Sequence, residues 1–325
     1  MFSNLSFKRY ATTKKAISPF LEHLGSGVPR ASNWNGSEIL AHLSEHTLYN
    51  ENNIVAFNKP PGLPVASTGM RGLSLQDMIP RLLSFYECKQ FLFCKAPARE
   101  ASGLAIAATS MEAYQHIMKT FKKSKYTRNP LISYLAITAN PVAETLPKQG
   151  TLSSYNRISL INGVYQSVKE KTPSKLQRKR ARKFHLKHTN TNYEVQNSSE
   201  LASLLCFRPT SRFKDQLRMH ALDLNAPLLG DHLYSQRITR LLGSSIIVPS
   251  QTSVPDRPQK LDSEILKALQ VPSISVLQLP LFLHLERVEI PHFKLTSENL
   301  SLCAPPLPYF QNTLFRLKLV DEEGI

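Results

Sequence analysis

The sequence predicts an α+β fold, a mixed β-sheet with helices packed on it, on three observations. Apolar runs of strand length recur along the chain. Helical periods with recognisable ends sit between some of them but not others, so the regular strand–helix alternation of a doubly wound sheet is missing. The chain has 325 residues, 42% hydrophobic and 20% charged, which suffices for a large buried core and excludes wholesale disorder. There is no internal repeat.

In order along the chain, Met1 to Phe20 carries Lys8, Arg9, Lys14 and Lys15, several Ser and Thr, and no acid before Glu22. That is the composition of a mitochondrial transit peptide, expected over residues 1–30, with Arg9-Tyr10-Ala11 as a processing site. Gly25, Gly27, Pro29, Asn33, Asn35 and Gly36 read as turn chemistry, so residues 31–47 are expected to be a linker and the folded part to begin near Leu48. Ile54 to Phe57 reads as a buried strand running into the rigid turn Asn58-Lys59-Pro60-Pro61-Gly62.

Thr109-x-x-Glu112 is a capping box, so a helix is expected from Thr109. Met111, Tyr114, Ile117, Met118 and Phe121 would form its inner face, and Lys119, Lys122, Lys123 and Lys125 suit the negative end of its dipole. Leu131 to Thr138 and Leu201 to Phe207 read as strands. Gln216 to Leu224 reads as a helix ended by Asn225-Ala226-Pro227, and a second helix follows Asp262 with Ile265, Leu266 and Leu269 inward. Residues 249–258 look like an exposed insertion. Val276 to Ile290 is strand-like, and Pro305, Pro306 and Pro308 are expected to hold an extended segment.

The formal charge is +16, which favours a polyanionic partner such as RNA or DNA. Part of it is concentrated between Lys169 and Lys187, where nine lysines and arginines face Glu170 alone. Such a block is a solvated loop or an arm awaiting phosphates, with Lys175, Arg178, Lys179, Arg180, Arg182 and Lys183 as the phosphate contacts. Cys88, Cys94, Cys206 and Cys303 are scattered without metal-ligand spacing, which argues against a zinc site or a disulfide framework and for a reducing compartment. No apolar run approaches the roughly 18–20 residues of a membrane span.

Three segments, in order, carry a resemblance. The first is Ile54 to Val65, IVAFNKPPGLPV. The second is Lys95-Ala96-Pro97-Ala98-Arg99-Glu100-Ala101-Ser102-Gly103-Leu104. The third is Gln216-Leu217-Arg218-Met219-His220 followed by Leu228-Leu229-Gly230-Asp231-His232-Leu233-Tyr234. Together they resemble the RluA-type RNA pseudouridine synthases, whose corresponding segments read Asn-Lys-Pro-x-Gly, His-Arg-Leu-Asp-x-x-Thr-Ser-Gly-Leu, and Gln-Ile-Arg-Val-His with Ile-Val-Gly-Asp-x-x-Tyr. Tyr134 sits where that family keeps its active-site tyrosine. The resemblance spans residues 48–316 as one pseudouridine synthase-like domain, leaves 317–325 as a tail, and points to an animal mitochondrial branch that itself departs from the family at the nucleophile.

The resemblance implies the pseudouridine synthase fold, with an RNA cleft across a bent mixed sheet. It also implies isomerisation of uridine without metal or cofactor, through one carboxylate, a base-stacking aromatic ring and an arginine. The carboxylate position is Ala98, which can neither attack nor donate, and Lys95 and Ala96 replace the family's His-Arg. Tyr134 and Arg218 remain as substrate-binding residues; Lys59, Pro60, Gly62, Ser102, Gly103, Gly230 and Asp231 would shape the cleft, with Asp231 capping its own turn. Glu100 and Asp215 are the candidate substitutes, although Glu100 stands two residues along, a displacement of ~6.6 Å. Arg218 is expected to pair with Glu100, Asp215 or an RNA phosphate, because an unpaired buried arginine is costly. His220 and His284 are expected to be structural.

Three functions stay open. One is a mitochondrial matrix protein that binds mRNA or rRNA, with mitoribosome assembly proteins as further partners. The second is a working isomerase with an unconventional carboxylate, and the third a protein-interaction scaffold. An acid within reach of Tyr134 and Arg218 would favour the enzyme, and a cleft filled by Lys95 or Pro97 the scaffold.

Overall fold

The computed structural model describes residues 31–67, 72–170, 186–241, 244–248, 257–293 and 299–320. The expected transit peptide, the phosphate contacts Lys175, Arg178, Lys179, Arg180, Arg182 and Lys183, and most of the insertion at 249–258 lie outside the described residues.

The expected linker holds a helix, α1 (Gly36–Glu45). Asn35 Oδ1 accepts from the Ser37 and Glu38 amides at 2.9 and 3.0 Å, and the Glu38 carboxylate accepts from the Asn35 amide at 2.8 Å. This capping box starts the helix, and burial of Ile39 and Leu43 docks it on the sheet, so the fold begins well before Leu48. Then follow β1 (Thr47–Glu51), β2 (Ile54–Lys59), α2 (Ile79–Phe85), β3 (Leu92–Lys95), β4 (Ser102–Ala108), α3 (Met111–Thr127) and β5 (Ile132–Ile137). The middle of the chain supplies β6 (Gln149–Ile161), β7 (Val164–Glu170), β8 (Lys187–Ser198), β9 (Ser203–Pro209) and α4 (Gln216–Asp223). The remainder is β10 (Ile238–Leu241), β11 (Ser244–Ile247), α5 (Ser263–Leu269), β12 (Leu283–Ile290), β13 (Leu300–Cys303) and α6 (Pro308–Arg316).

Eleven strands form one mixed sheet in the order β1-β2-β4-β12-β5-β9-β8-β6-β7, with β3 added beside β4 and β13 beside β12. Every pairing is antiparallel except β4 with β12, which run parallel through His284–Ser102 and Leu285–Gly103. Ile54, Ala56, Tyr134 and Ala136 pack with Ile117 of α3 and Leu217 and Ala221 of α4. Their sequence neighbours Val55 and Phe57 pack with α1 and α2, and Leu135 and Ile137 with α5 and α6. Helices therefore cover both faces, and β2 and β4 are buried along their whole length.

Several boundaries differ from those the sequence predicts. The cap of α3 is Ser110, whose hydroxyl accepts from the Ala113 amide at 3.2 Å, and the Thr109 amide that the expected capping box would offer to Glu112 donates instead to Asn53 O at 2.9 Å. Its buried face is Ala113 and Ile117, while Met111 is 46% exposed. Residues 273–278 form a 3-10 turn, and the strand begins only at Leu283. Pro308 opens α6 at its first turn, where a missing N–H is harmless. The expected tail packs in as far as it is described, with Leu317 and Leu319 buried.

Candidate nucleic-acid interface

One wall of the candidate site joins the first two motif segments. Lys59 is fully buried, and its Nζ donates to Pro60 O at 2.8 Å, Leu63 O at 3.0 Å and Arg99 O at 3.4 Å. The Gly62 amide donates to the same Arg99 O at 2.7 Å, and the Ala101 amide closes a turn on Ala98 O at 3.2 Å. Burial pulls the Lys59 pKa down to about 7; the Glu100 carboxylate resists this and Arg99 adds to it. The lysine is thus a pin holding the loop that carries Ala98.

That loop enters β4 at Gly103, whose φ is +114° and whose Cβ, if present, would stand 2.3 Å from Leu285 O. Only glycine lets β4 and β12 approach there. Ser102 Oγ donates to His284 Nδ1 at 2.9 Å and accepts from the Tyr309 hydroxyl at 3.0 Å, while His284 Nε2 donates to Ala304 O at 3.0 Å. Burial pulls the His284 pKa down to about 4, so the ring is neutral and wholly engaged in packing. His220 is held likewise by Ser154, Thr189 and Thr191, with its pKa pulled down to about 4 by burial, then by the charges of Lys169 and His188.

The opposite wall is the third segment. Arg218 on α4 donates from Nε to Asp231 Oδ2 at 3.0 Å and from Nη2 to Asp231 Oδ1 at 2.5 Å, a two-pronged pair. Its Nη1 reaches Asp215 Oδ1 at 3.4 Å. Burial works against the guanidinium charge, but Asp231 and then Asp215 outweigh it, and the arginine pKa stands above its ordinary value. Asp231 also accepts from the Leu233 and Tyr234 amides at 3.2 and 2.9 Å, so it caps its turn and takes the arginine as well. The main partner of Arg218 is therefore an acid expected only to cap, while Glu100 forms no ion pair with it. Asp215 has a left-handed backbone (φ 52°) and accepts from the buried Tyr234 hydroxyl at 2.8 Å. Two guanidinium groups stand over the Tyr234 ring, Arg218 at 4.6 Å and Arg237 at 4.4 Å from its centroid. Gly230, at φ +75°, lies so close to Pro280 that a Cβ would fall 1.7 Å from its carbonyl oxygen.

Between the walls is a cleft of about 120 Å³, lined among others by Ala98, Glu100, Tyr134, Phe213, Asp215 and Arg218. Ala98 and Glu100 are exposed on its rim. Tyr134 is 8% exposed, serving as core and cleft floor together. Lys95 Nζ stands 5.7 Å from the Tyr134 ring centroid, whereas Pro97 is buried and does not line the cleft. Arg212 and Phe213 line it too, and the sequence analysis did not single them out; the interleaving of cation and ring in Arg212-Phe213-Lys214 is the pattern that could have marked them. A larger hollow of about 590 Å³, lined by Asn140, Pro227, Arg257 and Asp262 among others, shares no lining residue with this cleft. Among the described residues no cluster of His, Cys, Asp and Glu could hold a metal, and no helix is long and apolar enough to cross a membrane.

The cleft thus offers an aromatic floor, a cationic rim and two carboxylates, one of them already hydrogen-bonded. The fold matches the solved "Human RNA Pseudouridylate Synthase Domain Containing 4" with a TM-score of 0.66 at 24% identity, covering 87% of this chain and 97% of that one. The architecture is therefore that of a pseudouridylate synthase domain. The chain is 31% identical over 291 residues to "Mitochondrial mRNA pseudouridine synthase Rpusd3" of Mus musculus, covering 88% of this chain and 82% of that protein. It is also 31% identical over 265 residues to its Homo sapiens counterpart, covering 80% and 72%. The chain belongs to the RluA-type RNA pseudouridine synthase family. No family model matches the chain.

Proposed function

We propose that this protein is a mitochondrial matrix RNA-binding member of its family, acting on mitochondrial mRNA or rRNA in an assembly or chaperone-like role, without a catalytic aspartate of its own. The observation that carries this reading is Ala98 on the rim of a cleft that retains Tyr134 and Arg218. Tyr134 supplies a face for a base, and the rim cations attract phosphate. Relatives named as mitochondrial support the location, as does the basic, acid-free start of the chain.

A second reading, isomerisation through a substitute carboxylate, is favoured by Asp215 and Glu100 lining the same cleft. Against Asp215 stands its engagement by the Tyr234 hydroxyl and Arg218. Pseudouridine mapping on mitochondrial transcripts incubated with purified protein separates the two. The first reading expects RNA binding and no pseudouridine above background. Robust turnover abolished by Asp215→Asn or Glu100→Gln would establish the second, and a protein that binds no RNA would leave a scaffold.

A further inference from the structure

Beside the cleft, two cations that do not line it, Lys125 and Lys187, have no role in either wall. Lys187, the first residue of β8, donates from Nζ to the Arg212 carbonyl and stands 5.8 Å from the Phe213 ring centroid. Arg212 and Phe213 line the cleft, so this corner is continuous with it. Lys125, in the last turn of α3, lies close enough for its charge to act on Lys187. Among the described residues, no carboxylate forms an ion pair with Lys125, Lys187 or Arg212.

Crowding like charges opposes folding unless something is gained from it, and here burial, then Lys125, then Arg212 lower the Lys187 pKa. An anion seated among the three would relieve that strain. The formal charge of +16 and the aromatic ring at the cleft's edge favour a nucleic acid over a small anion.

We infer that RNA leaving the cleft continues over this corner, its backbone phosphates held by Lys125, Lys187 and Arg212 beside the Phe213 ring. The inference rests on the RNA-binding reading above and names where the flanking strand runs. Phosphate contacts of this kind position the strand without reading its sequence.

The test compares a uridine trinucleotide, short enough for the cleft alone, with a 12-nucleotide single-stranded RNA of mixed sequence. The double variant Lys125→Gln/Lys187→Gln replaces no residue that lines the cleft, and a glutamine at 187 keeps an N–H donor for the Arg212 carbonyl. It should flatten the salt dependence of log K for the longer RNA by about 1.4, a loss of about 25-fold at 0.1 M salt relative to 1 M. Trinucleotide binding should be unchanged, and Lys125→Arg/Lys187→Arg should bind both RNAs as the wild type does. The melting temperature of the glutamine variant should not fall, since it removes a crowded charge. An unaltered salt slope overturns the inference, as does equal loss for both lengths. Competition by poly-glutamate as effective as by RNA of equal charge overturns it too, by assigning the corner to an acidic protein. A wild type that binds neither RNA overturns the cleft reading and this inference with it.

Discussion

The two walls of the cleft were kept by different kinds of interaction. The first wall is a backbone construction: Lys59 and Gly62 hold Arg99 O, and Gly103 lets two strands meet. The second is ionic: Arg218 is gripped by Asp231 and flanked by Asp215 and Tyr234. The first wall can lose its acid at position 98 without losing its shape, because no contact that shapes it involves that side chain. The second cannot lose an acid without leaving a buried cation. A reactive group on a backbone scaffold is removable, and one inside a charge network is not.

The largest expected effects break both walls alike. Gly230→Ala and Gly103→Ala each place a Cβ against backbone at positive φ, and each should cost roughly 4 kcal/mol or more, or prevent folding, read from denaturant midpoints. Similar midpoints to wild type would show that the strand approach is looser than described.

The next effect separates the walls. Asp231→Ala should destabilise by about 3–5 kcal/mol because Arg218 is left buried and half-unpaired. Lys59→Met removes a desolvated cation together with its three hydrogen bonds, and should cost about 1–3 kcal/mol. Equal losses would mean the first wall is ionic as well.

A pH titration sharpens the comparison further. His284 beneath the first wall and His220 on α4 both have folded pKa values near 4, below the ordinary 6.5. The unfolded chain takes up the proton first, so the stability each contributes is present above about pH 6.5 and is lost as pH falls toward 4. Each histidine should account for roughly 3 kcal/mol of that loss. His220→Gln should flatten the stability–pH curve in that window, measured by urea unfolding at successive pH values; an unchanged slope would mean the ring is already charged in the folded protein.

The smallest expected effect is at position 98 itself. Ala98→Asp, on an exposed rim, should change stability by less than about 0.5 kcal/mol. It should also yield no pseudouridine, because the Arg218 fork is occupied by Asp231. Turnover by this variant would show that Arg218 can exchange one carboxylate for another.

The three motif segments were legible in the sequence because each needs particular residues at fixed spacing. Ala98, Glu100 and Arg218 from the second and third line one cleft, while the first holds the loop that carries Ala98 and Asp231 holds Arg218 from behind. Other features were obscured by physics that a local pattern does not carry. Helix α1 was hidden among Gly, Asn and Pro, although Asn35-x-x-Glu38 with Ile39 and Leu43 marked it. Pro308 was read as extending the chain, when proline at a first helical turn serves equally well. Pairing of Arg218 with Asp231 depends on a turn after α4 that returns the chain across 13 residues. Burial on both faces erased the two-residue period from β2 and β4, which left their existence readable but not their orientation.

The place of β12 governs how the molecule must be made. It is the parallel neighbour of β4 and the antiparallel neighbour of β5, and among the described strands it alone bridges the two halves of the sheet. Its contact between Ser102 and His284 closes a separation of 182 residues. During synthesis, the halves must therefore wait, each with an open strand edge, until nearly the whole chain has emerged. Such edges recruit other chains as readily as their proper partner, so a holding chaperone before residue 283 emerges should raise the yield of folded protein, and its removal should send the product into aggregates.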